Sequence, residues 1–354
     1  MSFLPQYKGI GIGSLPFTDT NEALELIRKK LPEIPHWPQL PKRGRAEHFI
    51  YQCLNPLVQL GIIVVEDDHI YVEEEKSNWE EMLTEFYTKF LAAQEGDGNS
   101  LEWFAVPQES AVGLYSFLEN IKENPGDTIC VKGQMAGPLS VALNITDRNK
   151  KPAYYNPQTR DILIKALAMQ ARWQAVKLGE LGYPAMVFAD DPALSAVGVS
   201  TYITLSKEQV MSDLKEIVNE VHAADALAGA HSCAGVDWSM FMEAGFDIIS
   251  FDAYEYFPSL LGHIELLNDY LQQGGALAWG IVPTSYKVLQ QKLPNLLNKF
   301  EEQIEQLLKK GIAEDVLRRQ IYIAPSCGAG TLTVEEAEKI YEFTNLLSIE
   351  LSSR

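Results

Sequence analysis

The chain has few cysteines, no long apolar run and no surplus of positive charge. Only four of its 354 residues are cysteine, at positions 53, 130, 233 and 327. Four in a chain of this length make no disulfide framework, and a cytosolic setting keeps them reduced. No stretch is apolar for long enough to cross a bilayer, and the start MSFLPQYKG lacks a basic segment followed by an apolar core. That pattern argues for a cytoplasmic protein with no membrane role. Lys and Arg number 29 against 48 Asp and Glu, a formal charge of −19. Such a balance argues against nucleic-acid or anionic-membrane binding. No G-x-G-x-x-G follows the first strand-like run, so nothing supports a dinucleotide site.

What is present is a repeat of strand then helix. Eight short strand-like runs occur at 9–15, 35–40, 128–134, 185–190, 226–233, 247–253, 276–282 and 321–327. Helical periodicity follows most of them, as at 158–180, 207–221, 293–309 and 334–349. Most runs are continuously apolar rather than alternating, as parallel strands covered on both faces are. Eight such units predict an α/β protein with a (β/α)8 TIM barrel over residues 1–354, a single domain. The stretch 58–125 breaks the repeat: GIIVVEDDHIYVEEE reads as two strands around the turn EDDH, with a helix at 79–95. It is expected to be an insertion between the second and third barrel strands.

In a barrel of this kind the chemistry gathers at the carboxyl ends of the strands. Ser14 ends the first run, Asp190 and Asp191 the fourth, His231 and Cys233 the fifth, Asp252 the sixth and Cys327 the eighth. His231 and Cys233, two apart, project to the same face of a strand. Cys53 and Cys130 sit inside apolar patterns and read as small buried hydrophobes. Two thiolates, an imidazole and a carboxylate suit tetrahedral zinc. An electron-rich zinc activates water poorly. It holds a substrate thiol well, deprotonating it yet leaving it nucleophilic, which points to alkyl transfer onto sulfur rather than hydrolysis. A Cys/His nucleophile pair alone would leave Cys327 unexplained.

The segments HSCAG (231–235), DIISFD (247–252) and APSCGAGT (324–331) resemble the catalytic barrel of the cobalamin-independent methionine synthase family. That family carries H-x-C, a strand ending S/T-I-E, and P-x-C-G. IGSLPFT (12–18) is similar to its I-G-S-F-P-Q-T, DDPAL (190–194) to its D-E-P-A-L, and GQMAGPLS (133–140) to its T-G-P-V-T segment. These occur in the family's order and span nearly the whole chain. The resemblance implies zinc-dependent methyl transfer to homocysteine, giving methionine. It implies His231, Cys233 and Cys327 as zinc ligands, Ile12, Gly13 and Ser14 as the holders of the amino-acid carboxylate, and Asp190 as the partner of its ammonium. The family's strand-six Glu is replaced by Asp252, so the fourth ligand is Asp252 or Glu255, three residues on.

The family's long form has a second, amino-terminal barrel that has no counterpart in this sequence. The methyl donor is therefore open between a methyl-folate and a methylcorrinoid protein. Lys42, Arg43 and Arg45 are candidates for folate carboxylates, Glu47 for a second ammonium acid, and Trp37, Trp103 or Trp279 for stacking a flat donor. A methylcobalamin:thiol methyltransferase of the coenzyme M type shares the barrel and the H-x-C…C pattern. Uroporphyrinogen decarboxylase shares the barrel but needs arginines near its amino terminus, and residues 1–27 contain none. A zinc- or thiol-binding barrel without catalysis, and a simple amino-acid-binding module, are the non-enzymatic alternatives.

Overall fold

The computed structural model describes residues 4–66, 69–198 and 205–354. Strands β1 (Ile63–Glu66) and β2 (His69–Val72) pair antiparallel, with Ile63 opposite Val72. They form the expected hairpin of the insertion, followed by a helix over Trp79–Gln94. Asp67 and Asp68 of the expected turn lie outside the described residues.

The apolar runs of the second half become a six-stranded parallel sheet in sequence order. Its strands are β3 (Val131–Ala136), β4 (Ala185–Asp190), β5 (Leu227–Ser232), β6 (Ile248–Phe251), β7 (Ala276–Val282) and β8 (Ile321–Pro325). Each is buried along nearly its whole length. Helices cover it between strands, and local signals set their ends. Asn156 caps Pro157–Gly179 by accepting from the amides of Gln158 and Thr159, with proline at the first helical position, where no donor is missed. Thr333 and Glu336 close a capping box on the last helix, Val334–Ser352.

The structure thus shows an α/β fold with six of the eight expected strands. The segments 9–15 and 35–40 are not strands. Single parallel bridges tie them in: Gly9 to Ile323 of β8, Ser14 to Gln39, and His36 to Lys132 of β3. The Ile10 amide donates to the Ile323 carbonyl at 2.9 Å, Leu15 to Gln39 at 2.9 Å, and Trp37 to Lys132 at 3.2 Å. Both edges of the sheet are therefore linked through these two segments. The physical reason for the missing ladders is in the residues. Pro35 and Pro38 have no N–H to give. Gly13 takes φ +151°, and a Cβ there would stand 2.5 Å from the Gln134 side chain. Side chains replace part of the ladder, as where Gln134 Nε2 donates to the Trp37 carbonyl at 2.9 Å. Among the described residues no helix is long and apolar enough to cross a membrane.

Candidate metal centre and adjoining cavity

The sheet register builds the site. Asp190 pairs with His231 across β4 and β5, and His231 with Ser250 across β5 and β6. Paired residues of a parallel sheet point to the same face, so these three side chains stand in a row. Cys233 leaves β5 one residue past its end. Cys327 follows β8, where its amide donates to Thr284 Oγ1 at 2.7 Å, and that hydroxyl also bonds the Ser326 hydroxyl at 2.7 Å.

One ligand atom each of His231, Cys233 and Cys327 lies within 4.8 Å of the others. His231 Nδ1 bonds the Ser250 hydroxyl at 2.9 Å, while its Nε2 is buried with no partner among the described residues. The neighbouring Cys327 thiol and His231 imidazole hold the Cys233 thiol down at about 4, while Cys233 and burial push Cys327 up. A nitrogen and two sulfurs at this spacing, with an orphaned ring nitrogen, fit a borderline-soft cation such as zinc.

Neither Asp252 nor Glu255 belongs to that cluster. Asp252 caps the helix Ala253–Leu260, its Oδ1 accepting from the Glu255 amide at 2.9 Å, and burial pushes its carboxyl up to about 6. Glu255 is exposed and pairs with Lys287 at 2.6 Å. Cys53 and Cys130 are buried away from the site, and burial pushes the Cys53 thiol up to about 12. Asp191 is a scaffold residue: it accepts from the Leu139 amide at 2.8 Å, the Ser140 amide at 2.9 Å and the Ser140 hydroxyl at 2.6 Å. This explains Gly137, where a Cβ would come within 2.3 Å of Asp191.

A cavity of about 320 Å³ opens over the cluster and is lined by His231, Cys233, Cys327, Ile12, Ser14 and Asp190 among others. Ser14 is clasped by the loop after β8: its carbonyl accepts from the Ala329 amide at 2.9 Å and its hydroxyl from the Gly330 amide at 3.3 Å. A Cβ on Gly328 would sit 2.2 Å from that hydroxyl, so only glycine permits the closure. Asp190 presents a buried Oδ1 with no partner among the described residues, and burial raises its carboxyl to about 6 against the pull of His231 and Lys132. Glu47 lines the same cavity. Its Oε1 accepts from Arg43 at 2.8 Å and its Oε2 is buried without a partner among the described residues.

Other sequence candidates are engaged elsewhere. Lys42 Nζ donates to the Leu332 carbonyl at 2.5 Å, Arg43 to Glu47 and to the Thr18 carbonyl, and the Arg45 guanidinium lies 4.4 Å over the Tyr51 ring. Trp37 and Trp279 are buried and give their indole N–H to Gln174 and Gln303. Trp103 packs on Phe104 in the insertion. None of the three tryptophans lines the cavity; Phe49 and His48 do. Sequence reasoning missed these two, though both follow Glu47 directly, and it missed Gln39 and Thr284.

No family model matches this sequence, and no curated protein does. Solved structures similar to it include a B12-independent methionine synthase from Shewanella sp. W3-18-1 in complex with selenomethionine. It is 13% identical, covers 66% of each chain and has a TM-score of 0.45. A GH113 β-1,4-mannanase complex is 12% identical over 100% of both chains, also at 0.45. The GH113 β-mannanase AaManA from Alicyclobacillus acidocaldarius is 12% identical over 68% of this chain and 91% of its own, at 0.33. The chain thus spans just under two thirds of that methionine synthase.

Proposed function

We propose that the protein is a zinc-dependent methyltransferase of the methionine synthase type, built on an eight-unit barrel, that methylates the sulfur of homocysteine to give methionine. The observation that carries this reading is the convergence of two different sites in one cavity. A nitrogen–sulfur–sulfur cluster lies beside unpartnered carboxylate oxygens on Asp190 and Glu47. An amino-acid thiol has a group for each.

His231 Nε2, Cys233 and Cys327 would hold zinc, which lowers the pKa of a thiol brought to its open position. The rest is done by the chain. Asp190 and Glu47 receive the substrate ammonium, and Ile12, Gly13 and Ser14 receive its carboxylate. With both ends fixed, the sulfur is delivered to the cluster rather than sampling the cavity, and this orientation contributes a large share of the acceleration. The thiol proton leaves to solvent. The sulfur electron pair forms the new S–CH3 bond as the methyl–donor bond breaks, and the donor departs with the pair that held the methyl group. The chain's candidate cations for a folate tail are already engaged, so the donor is to be read by assay.

Zinc-loaded protein given homocysteine, with methyl-folate and methylcobalamin in parallel reactions, should form methionine with one of them. X-ray absorption should show one more sulfur at zinc with homocysteine than without. An unchanged sulfur count together with no methionine from either donor overturns the proposal.

A further inference from the structure

The cavity poses an electrostatic problem. Among the described residues its lining includes Glu47, Asp190, Cys233 and Cys327 but no lysine or arginine. An α-amino acid must place its carboxylate there, against a wall that is already anionic. The reading above assigns that carboxylate to Ile12, Gly13 and Ser14, which offer backbone and hydroxyl groups but no charge.

Behind this segment lies Lys132. It is 1% exposed, the second residue of β3, among core side chains. Its ammonium donates to the Ile12 carbonyl at 2.5 Å and to the Gln134 side-chain oxygen at 3.3 Å, and rests 4.5 Å over the face of Phe188. Both acceptors are neutral, so contact does not cancel the charge. Asp190 attracts it only at longer range, opposing the burial that lowers its pKa to about 8. Burying an ammonium without a contacting anion is costly, and mere bracing of Ile12 needs only a neutral donor. A low-dielectric interior carries such a charge across one peptide group to the cavity wall with little screening.

We propose that Lys132 is a specificity-determining residue: its buried ammonium, one carbonyl behind the cavity wall at Ile12, is the positive charge that selects thiols bearing a carboxylate. The inference rests on the amino-acid-thiol reading of the cavity and names the group that reading lacks. Lys132 touches no substrate atom. It acts through the Ile12–Ser14 segment and through its field.

The test compares homocysteine with its carboxamide, which keeps the thiol and the ammonium but loses the negative charge. Binding to zinc-loaded protein is measured by calorimetry, with zinc content determined on every sample. The wild-type protein should prefer homocysteine by about tenfold or more. Lys132→Met, and Lys132→Gln, which keeps a donor for the Ile12 carbonyl, should both bring that preference close to one while leaving zinc content and carboxamide affinity unchanged. An equal fall for both ligands in the variants shows Lys132 to be a structural brace and overturns the proposal. Full preference kept in Lys132→Gln shows that the hydrogen bond matters and the charge does not, and also overturns it. Where the variants do not fold, the wild-type preference decides: equal binding of the two ligands sinks this inference alone, and binding of neither sinks the methyl-transfer reading with it.

Discussion

Ser250 accepts or donates its 2.9 Å hydrogen bond at Nδ1 of His231, and so turns Nε2 of that ring, buried and unpartnered, to the side of Cys233 and Cys327. A metal-ligating imidazole is normally fixed in this way through its second nitrogen. Ser250→Ala should leave the fold intact and lower zinc affinity about 10–100-fold, read by competition with a chromophoric chelator. An affinity equal to wild type would mean that packing alone sets the ring.

Cys327 is placed by its own amide on Thr284 rather than by a strand partner. Cys327→Ser should remove most of the metal. Cys53→Ser and Cys130→Ser should keep it, because both thiols are buried away from the cluster. Thr284→Val should fall between these, since it frees the Cys327 backbone without removing a ligand. Metal analysis of the purified variants checks the order, and full occupancy in Cys327→Ser would remove the main argument for the centre.

Asp190 stands beside His231 in the sheet yet outside the metal cluster, with Oδ1 open to a donor. Asp190→Asn should therefore weaken homocysteine binding by about 2–4 kcal/mol while zinc content stays constant. Titration calorimetry on zinc-loaded protein separates the two effects. Unchanged affinity would return Asp190 to a purely structural role.

The strands of the second half were legible because each is a continuous apolar run, the signature of burial on both faces. The segments 9–15 and 35–40 carry the same apolar character, but glycines and prolines deny them a ladder, and periodicity does not register a missing N–H. His231, Cys233 and Cys327 could be read because strand ends, glycine flanks and residue type coincide. Asp252 and Glu255 illustrate the limit. Position along the chain places both near the His231–Cys233–Cys327 cluster, but a helix start claims Asp252 and Lys287 claims Glu255. Asp191 was equally ambiguous, since a strand-end acid may serve a ligand or a neighbouring helix, and only the amides of Leu139 and Ser140 decide it. Lys132 reads as an ordinary residue in TICVKGQ, because nothing in a sequence reveals that an alternate position faces a closed interior.

His36 gives the fold a defined acid sensitivity. It is fully buried, with Nδ1 2.9 Å from the Trp37 carbonyl and Nε2 2.7 Å from the Tyr341 hydroxyl. A carbonyl only accepts, so Nδ1 carries the proton and Nε2 receives the Tyr341 O–H. That tautomer is neutral, and a second proton at Nε2 would have to turn the Tyr341 hydroxyl from donor to acceptor and bury a charge. Burial, with Lys132 adding repulsion, holds the ring down at about 3 against an ordinary value of 6.5. The unfolded chain therefore binds a proton that the native state refuses throughout the interval from 6.5 down to 3. The stabilisation is fully present above pH 6.5 and is lost progressively as the pH falls toward 3, by roughly 3–5 kcal/mol in all. Urea melts of wild type and His36→Gln at a series of pH values should show it. The variant is less stable at pH 7, having lost both bonds, but its stability falls less steeply between pH 6.5 and 4. Parallel pH slopes for the two proteins would mean that His36 is protonated in the native state, and the assigned tautomer would be wrong.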